Sequence, residues 1–182
     1  MNHSYKISTK NLVLIGLCSA LLCVLAPWSI TLPISPVPFT LGTLILYVIT
    51  YILGLRKGLI CFLIYLLLGF IGLPVFAGFT SGPSKLLGPT GGYLIGELFL
   101  VLILGFFLHQ FKYKRSMFLL GMVFGTFLCY FFGTLWLAYI NHLSFKVALS
   151  VGVLPYLLFD TIKIAFALFW APRIRTTLRY FT

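Results

Sequence analysis

Six apolar runs, each near the length of a bilayer crossing, alternate with two kinds of break, and this pattern leaves few folds open to the chain. Runs such as "LILYVITYILGL" carry no charge and show no polar–apolar alternation. Lipid offers backbone groups no hydrogen-bonding partner, so such a chain must close on itself as helices or as a barrel. Unbroken rather than alternating hydrophobicity selects helices. A crossing takes roughly 20 mostly apolar residues, and spans are predicted at 12–28, 39–55, 59–76, 91–109, 116–139 and 155–174. The expected fold class is all-α: a polytopic integral membrane protein, residues 1–182 forming one six-helix domain. Only 8% of the residues are charged, against about 25% in soluble domains. Lys6 and Lys10 precede the first run as in a signal peptide. No small-residue cleavage site follows it, so it is read as a retained span.

The breaks differ in kind. Arg56-Lys57 and Lys112-Tyr113-Lys114-Arg115 are short and basic, whereas "APWSITLPISPVPF", "AGFTSGPSKLLGPTGG" and "INHLSFKVALSVGVL" are long and almost uncharged. With Lys6, Lys10, Arg173, Arg175 and Arg179, ten of the 13 basic residues fall on one side. The positive-inside rule then puts both termini in the cytoplasm of a cell (inner or plasma) membrane. The net charge of +11 reflects this topology and lipid headgroups, and calls for no nucleic acid. Long loops stiffened by proline and turned by glycine build lids or binding surfaces, or simply connect helices. The inner turns are minimal, so a ligand site is expected to open outward.

Three formal charges fall within the spans: Glu97, Asp160 and Lys163. Each needs a partner or a wet cavity, since a charge at the bilayer centre costs about 2.5–3.5 kcal/mol even on the lenient scale. Asp160 and Lys163 share one helix face at i, i+3. With Pro155 opening their helix, they lie roughly 8–12 Å into it, and Glu97 reaches a similar depth from Gly91. They form either a self-neutralising structural pair or part of a ligand site. The glycine-rich loop beside them allows close backbone approach and favours the second reading. Glu97 is read as a counter-charge to Lys163 or Lys85, or as a ligand contact. Tyr93, Trp136 and Tyr139 lie where they could sandwich a flat ligand, or anchor in the interfacial belt. Gly16 and Ala20 form a small-xxx-small motif that permits close helix approach. Cys18, Cys23, Cys61 and Cys129 lie in apolar runs without CxxC spacing and read as inert thiols, so no metal site and no cofactor are expected.

The segments "PVPFTLGTL", "LLGFIGLPVFAGFTSG", "LLGPTGGYLIG" and "LPYLLFDTIKI" resemble, in order, the BioY family. These are biotin-binding S components of energy-coupling factor (ECF) transporters. The resemblance spans nearly the whole chain. It implies a six-helix membrane fold with cytoplasmic termini, high-affinity capture of biotin from outside, and docking on a transmembrane T component driven by two ATPase subunits. Asp160 and Lys163 match the family's polar binding pair. Gly82, Gly88, Pro89, Gly91, Gly92 and Tyr93 match its loop-and-helix motif around the ligand, and Gly16 and Ala20 its docking motif. Three departures stand out: Gly42 where glutamine is common, Phe159 where glycine is common, and Glu97 where an apolar residue is usual.

Two rival functions are weighed. A membrane enzyme using Glu97 or Asp160 as acid or base would normally show paired catalytic motifs, and none is present. A solitary carrier of biotin or a related precursor needs no ATPase, and an intramembrane carboxylate such as Glu97 could relay its protons. No GxxxxGK[ST] motif occurs, so any ATP must act through another protein.

Overall fold

A computed structural model describes residues 9–33 and 35–180, with side chains through 178; Lys6 and the Arg179 side chain, both counted in the charge asymmetry, lie outside the described residues. Helix α1 runs over Thr9–Leu25. The segment after it is too rich in proline to continue as helix, since each ring removes an N–H donor. It forms an antiparallel ribbon instead, β1 (Ser29–Thr31) against β2 (Pro38–Thr40), with Ile30 opposite Phe39. The fold is thus mostly helical rather than wholly so.

Helix α2 (Gly42–Phe70) carries no charge but Arg56 and Lys57 and is broken at Gly54, whose φ of 78° and ψ of 178° suit glycine almost alone. The predicted break was the basic pair Arg56-Lys57; the bend comes earlier, because backbone freedom rather than charge decides where a helix can reverse. A Cβ on Gly58 would stand 3.2 Å from the Thr50 Cα, whereas eight residues of straight helix span about 12 Å. The two arms, 42–53 and 55–70, therefore fold back on each other. The second arm runs parallel to α1: Lys57 Nζ donates to Asn11 Oδ1 at 2.7 Å, and Cys61 Sγ donates to the Ile15 carbonyl at 3.6 Å. The third predicted span reaches residue 76, but the helix stops at Phe70, before Gly72 (φ 111°) and Pro74. The Phe76 ring then packs over Gly69.

The short helix α3 (Pro83–Leu87) leads into α4 (Gly91–Gln110), which packs antiparallel to α5 (Arg115–Ile140) in the most extensive helix pair. Small residues set their closeness. A Cβ on Gly96 would lie 2.6 Å from the Cys129 Cα, and one on Gly125 3.1 Å from the Leu100 Cα. The following segment, expected as loop, contains α6 (Phe145–Gly152), whose first turn is capped by Ser144 Oγ accepting from the Val147 N–H. Pro155 lies in a 3₁₀ turn, Leu154–Tyr156, directly ahead of α7 (Leu157–Tyr180).

Two ends of the bundle differ in chemistry. At one, Lys10, Lys57 and Arg175 line a groove, and the Arg175 guanidinium stacks 3.2 Å from the Tyr113 ring centroid. The other end carries the ribbon, α3 and α6. Helices α2, α4 and α5 and the stretch Phe145–Leu178 are each long and apolar enough to cross a membrane, and α1 is a shorter apolar helix.

Candidate ligand-binding site

A cavity opens at the ribbon end between β2, α3, α4, α5, α7 and the first arm of α2. It is open at its mouth, and the non-atom space there, open solvent included, is about 810 Å³.

Helix α7 supplies the charged wall. Asp160 and Lys163 are 8% and 6% exposed, and Lys163 Nζ lies 2.7 Å from Asp160 Oδ1. The i, i+3 spacing puts them on one face, and neighbours fix both heads. The Tyr130 hydroxyl of α5 donates to Asp160 Oδ2. Lys163 Nζ donates to Thr43 Oγ1 at 3.0 Å and sits 4.2 Å from the Phe39 ring centroid. Asp160 Oδ1 touches the ammonium, yet accepts no properly directed hydrogen bond. The buried Thr90 hydroxyl on the same cavity is also unpartnered. Buried polar atoms are normally satisfied, so these two acceptors suit a ligand that brings N–H or O–H groups.

Tyr93, Glu97, Asp160 and Lys163 all line this cavity. Tyr93 is also held from behind, its hydroxyl donating to the Gly152 carbonyl at 3.0 Å. Glu97 makes no direct pair with Lys163 or Lys85: Lys163 is paired with Asp160, and among the described residues Glu97 has no ion pair within 4.0 Å. Its Oε1 instead lies 3.8 Å from where a Cβ on Gly42 would be. The absent side chain at 42 leaves the carboxylate room against α2.

The loop glycines stand behind the wall rather than on it. Gly82 (φ 87°) turns the chain into α3, and Gly88 accepts the Trp136 indole N–H at 2.9 Å. Pro89 precedes the α4 start, Gly91 abuts the Leu86 carbonyl, and Gly92 abuts the Trp136 side chain. Of the two readings for the aromatics, a sandwich or belt anchors, the three do not line one cavity wall together: Trp136 packs behind Gly92, and Tyr139 is 75% exposed. On α1, Gly16 and Ala20 are exposed, and among the described residues no neighbour lies within 4 Å of a Cβ built on Gly16.

Sequence reasoning missed Lys85, Thr90, Tyr65 and Tyr130 as cavity residues. Tyr130 had a signal, a hydroxyl mid-span and antiparallel to Glu97. Lys85 had one too, a lone cation in an otherwise uncharged loop. It is half-buried without an ion pair among the described residues, and burial pushes its ammonium pKa down.

With this geometry in view, residues 1–180 match the family model described as the BioY family. The chain belongs to the BioY family. It is 40% identical over 176 residues to "Biotin transporter BioY2" of Lactococcus lactis subsp. cremoris, covering 94% of this chain and 96% of that one. It is 37% identical over 166 residues to "Biotin transporter BioY" of Thermotoga maritima, covering 91% and 96%. Among solved structures it resembles the S-component for biotin from an ECF-type ABC transporter, with a TM-score of 0.86, 28% identity, and coverage of 97% and 95%. Like other members of the BioY family, the chain is a multi-pass membrane protein, and the relatives are named as transporters rather than enzymes.

Proposed function

We propose that this chain is a biotin-binding subunit for biotin uptake across the plasma membrane, acting as the S component of an ECF transporter. Six crossings, counting the two arms of α2 separately, would bring both termini to the basic end, which the positive-inside rule assigns to the cytoplasm, with the cavity then facing outward. The observation that carries the reading is the Asp160–Lys163–Tyr130 cluster with an unfilled acceptor at Asp160 Oδ1. The ureido ring of biotin offers N–H donors to that acceptor and a carbonyl to the Lys163 ammonium. Lys85, the unpaired cation at the mouth, then receives the carboxylate at the end of the valerate chain. Tyr93 and Tyr65 supply apolar faces for the thiophane. Gly82, Gly88, Pro89, Gly91 and Gly92 position Tyr93 and Thr90 from behind. The open face at Gly16 and Ala20 docks a T component, and two ATPase subunits supply the energy that this chain has no motif to harvest.

A solitary carrier is the second reading, favoured by one observation: Glu97 is an unpaired carboxylate within a span, as proton coupling requires. Uptake of labelled biotin by cells expressing the chain alone, and with T and ATPase subunits, separates the two. The S-component reading expects binding alone and sustained uptake only with the partners. Equal uptake without them supports the solitary carrier, and absence of both binding and uptake refutes biotin as ligand.

A further inference from the structure

Glu97 has no role in the ligand contacts assigned above, yet its carboxylate lies on the wall of the same cavity. The charged and titratable groups facing it come from every neighbouring element. They are Asp160 and Lys163 on α7, Tyr47 and Tyr65 on α2, Cys129 and Tyr130 on α5, Lys85 on α3, Tyr156 ahead of α7, and Tyr93 on its own helix. Among the cations, Lys163 is paired with Asp160 at 2.7 Å, and Lys85 is the cavity's ammonium group without an ion pair among the described residues.

The charge balance then constrains the bound state. With Glu97 ionised, the empty cavity is neutral overall: two carboxylates and two ammonium groups. A ligand carboxylate adds one negative charge with no cation left to meet it. An unpaired charge in a low-dielectric, membrane-embedded site is strongly disfavoured, and a buried group neutralises instead. Gly42 brings no side chain to the Glu97 carboxyl, and among the described residues no ion pair within 4.0 Å holds it ionised.

We propose that Glu97 is the proton-binding group of the ligand site: an anionic ligand is held with Glu97 protonated, so ligand and proton bind together. The inference rests on the biotin reading above. The proton comes from water and bonds to a Glu97 oxygen; no other bond changes. Because the protonated form binds more tightly, rising pH weakens binding once Glu97 ionises in the empty site, by about tenfold per pH unit. In that range each binding event takes up close to one proton.

The test uses the full-length chain carrying Lys85→Arg, so that the mouth cation stays charged throughout. Biotin affinity is measured between about pH 6 and pH 10, a window spanning displaced carboxyl groups. Calorimetry in two buffers of different ionisation enthalpy counts the protons. The expected result is weakening at the alkaline end with uptake approaching one proton, and a flat profile with no uptake when Glu97→Gln is added. The same slope and uptake with Glu97→Gln overturn the proposal, as do a flat profile and zero uptake with Glu97 intact. Should Glu97→Gln not fold, the proton count on the Lys85→Arg chain alone decides. A wild-type chain that binds no biotin at any pH fails differently, removing the biotin reading and this inference with it.

Discussion

Lys163 Nζ lies 2.7 Å from Asp160 Oδ1, and the two charges share one face of α7 with almost no exposure. Each is the other's main compensation for leaving water. Removing one therefore strands a buried charge, a loss of about 3–5 kcal/mol, whereas replacing both by apolar residues is often neutral. Lys163→Ala is expected to unfold well below the wild type in detergent, and Asp160→Leu/Lys163→Met to recover most of that stability without recovering biotin binding. Thermal unfolding followed by circular dichroism checks the first part, and equilibrium binding the second.

Lys85 is expected to read the ligand's carboxylate. Lys85→Ala should weaken biotin by about 5–150-fold, the cost of a lost charged hydrogen bond, and leave biotin amide nearly unaffected. Burial lowers the Lys85 pKa, so its charge is present at low pH and lost as pH rises through that depressed value. The preference for biotin over its amide should shrink correspondingly in alkaline buffer. A preference unchanged by Lys85→Ala would move the carboxylate elsewhere.

Much of this was legible in the sequence. The span at Gly91 was placed almost to the residue, because a glycine turn followed by an unbroken apolar run leaves a helix one place to begin. Asp160 and Lys163 declared themselves by cost, since charges within a span need a reason to be there. What was not legible depended on partners distant in sequence. Hydropathy sees the same apolar run on both sides of Gly54, and φ alone distinguishes a hairpin from a rod. Glu97 was read by depth as a counter-charge to Lys163 or Lys85, or as a ligand contact, but depth cannot say whether its carboxylate comes within ion-pair distance of an ammonium on another helix. Trp136 was open between a ligand contact and a belt anchor, and sequence could not show that its side chain packs against Gly92.

The hairpin in α2 gives a contrast between backbone and charge. Gly54→Ala forces a side chain into a conformation reserved for glycine, where its Cβ would also meet the Tyr113 hydroxyl at 3.1 Å. A destabilisation of about 1–3 kcal/mol follows, read as a lower unfolding temperature. Arg56→Gln, at an exposed position two residues on, should leave that temperature unchanged. Equal effects would return the turn to the basic pair.

At Gly96 the α4 and α5 backbones come close: a Cβ there would lie 2.6 Å from the Cys129 Cα, and the nearest atoms are all backbone. Gly96→Ala should push the helices apart and cost about 1–3 kcal/mol or more by overpacking. Since Glu97 and Tyr130 ride on those two helices, ligand affinity should fall with stability. An unfolding temperature within error of the wild type would show that the interface yields more easily than its geometry implies.

The central claim is that the cavity at the ribbon end binds biotin through Asp160 and Lys163. Equilibrium binding of labelled biotin to the purified chain, beside Asp160→Asn and Lys163→Ala, tests it most directly. The account predicts saturable one-to-one binding by the wild type, weakened by about 5–150-fold in each variant, as loss of a buried polar partner entails. No saturable binding by the wild type, or wild-type affinity in both variants, would contradict it.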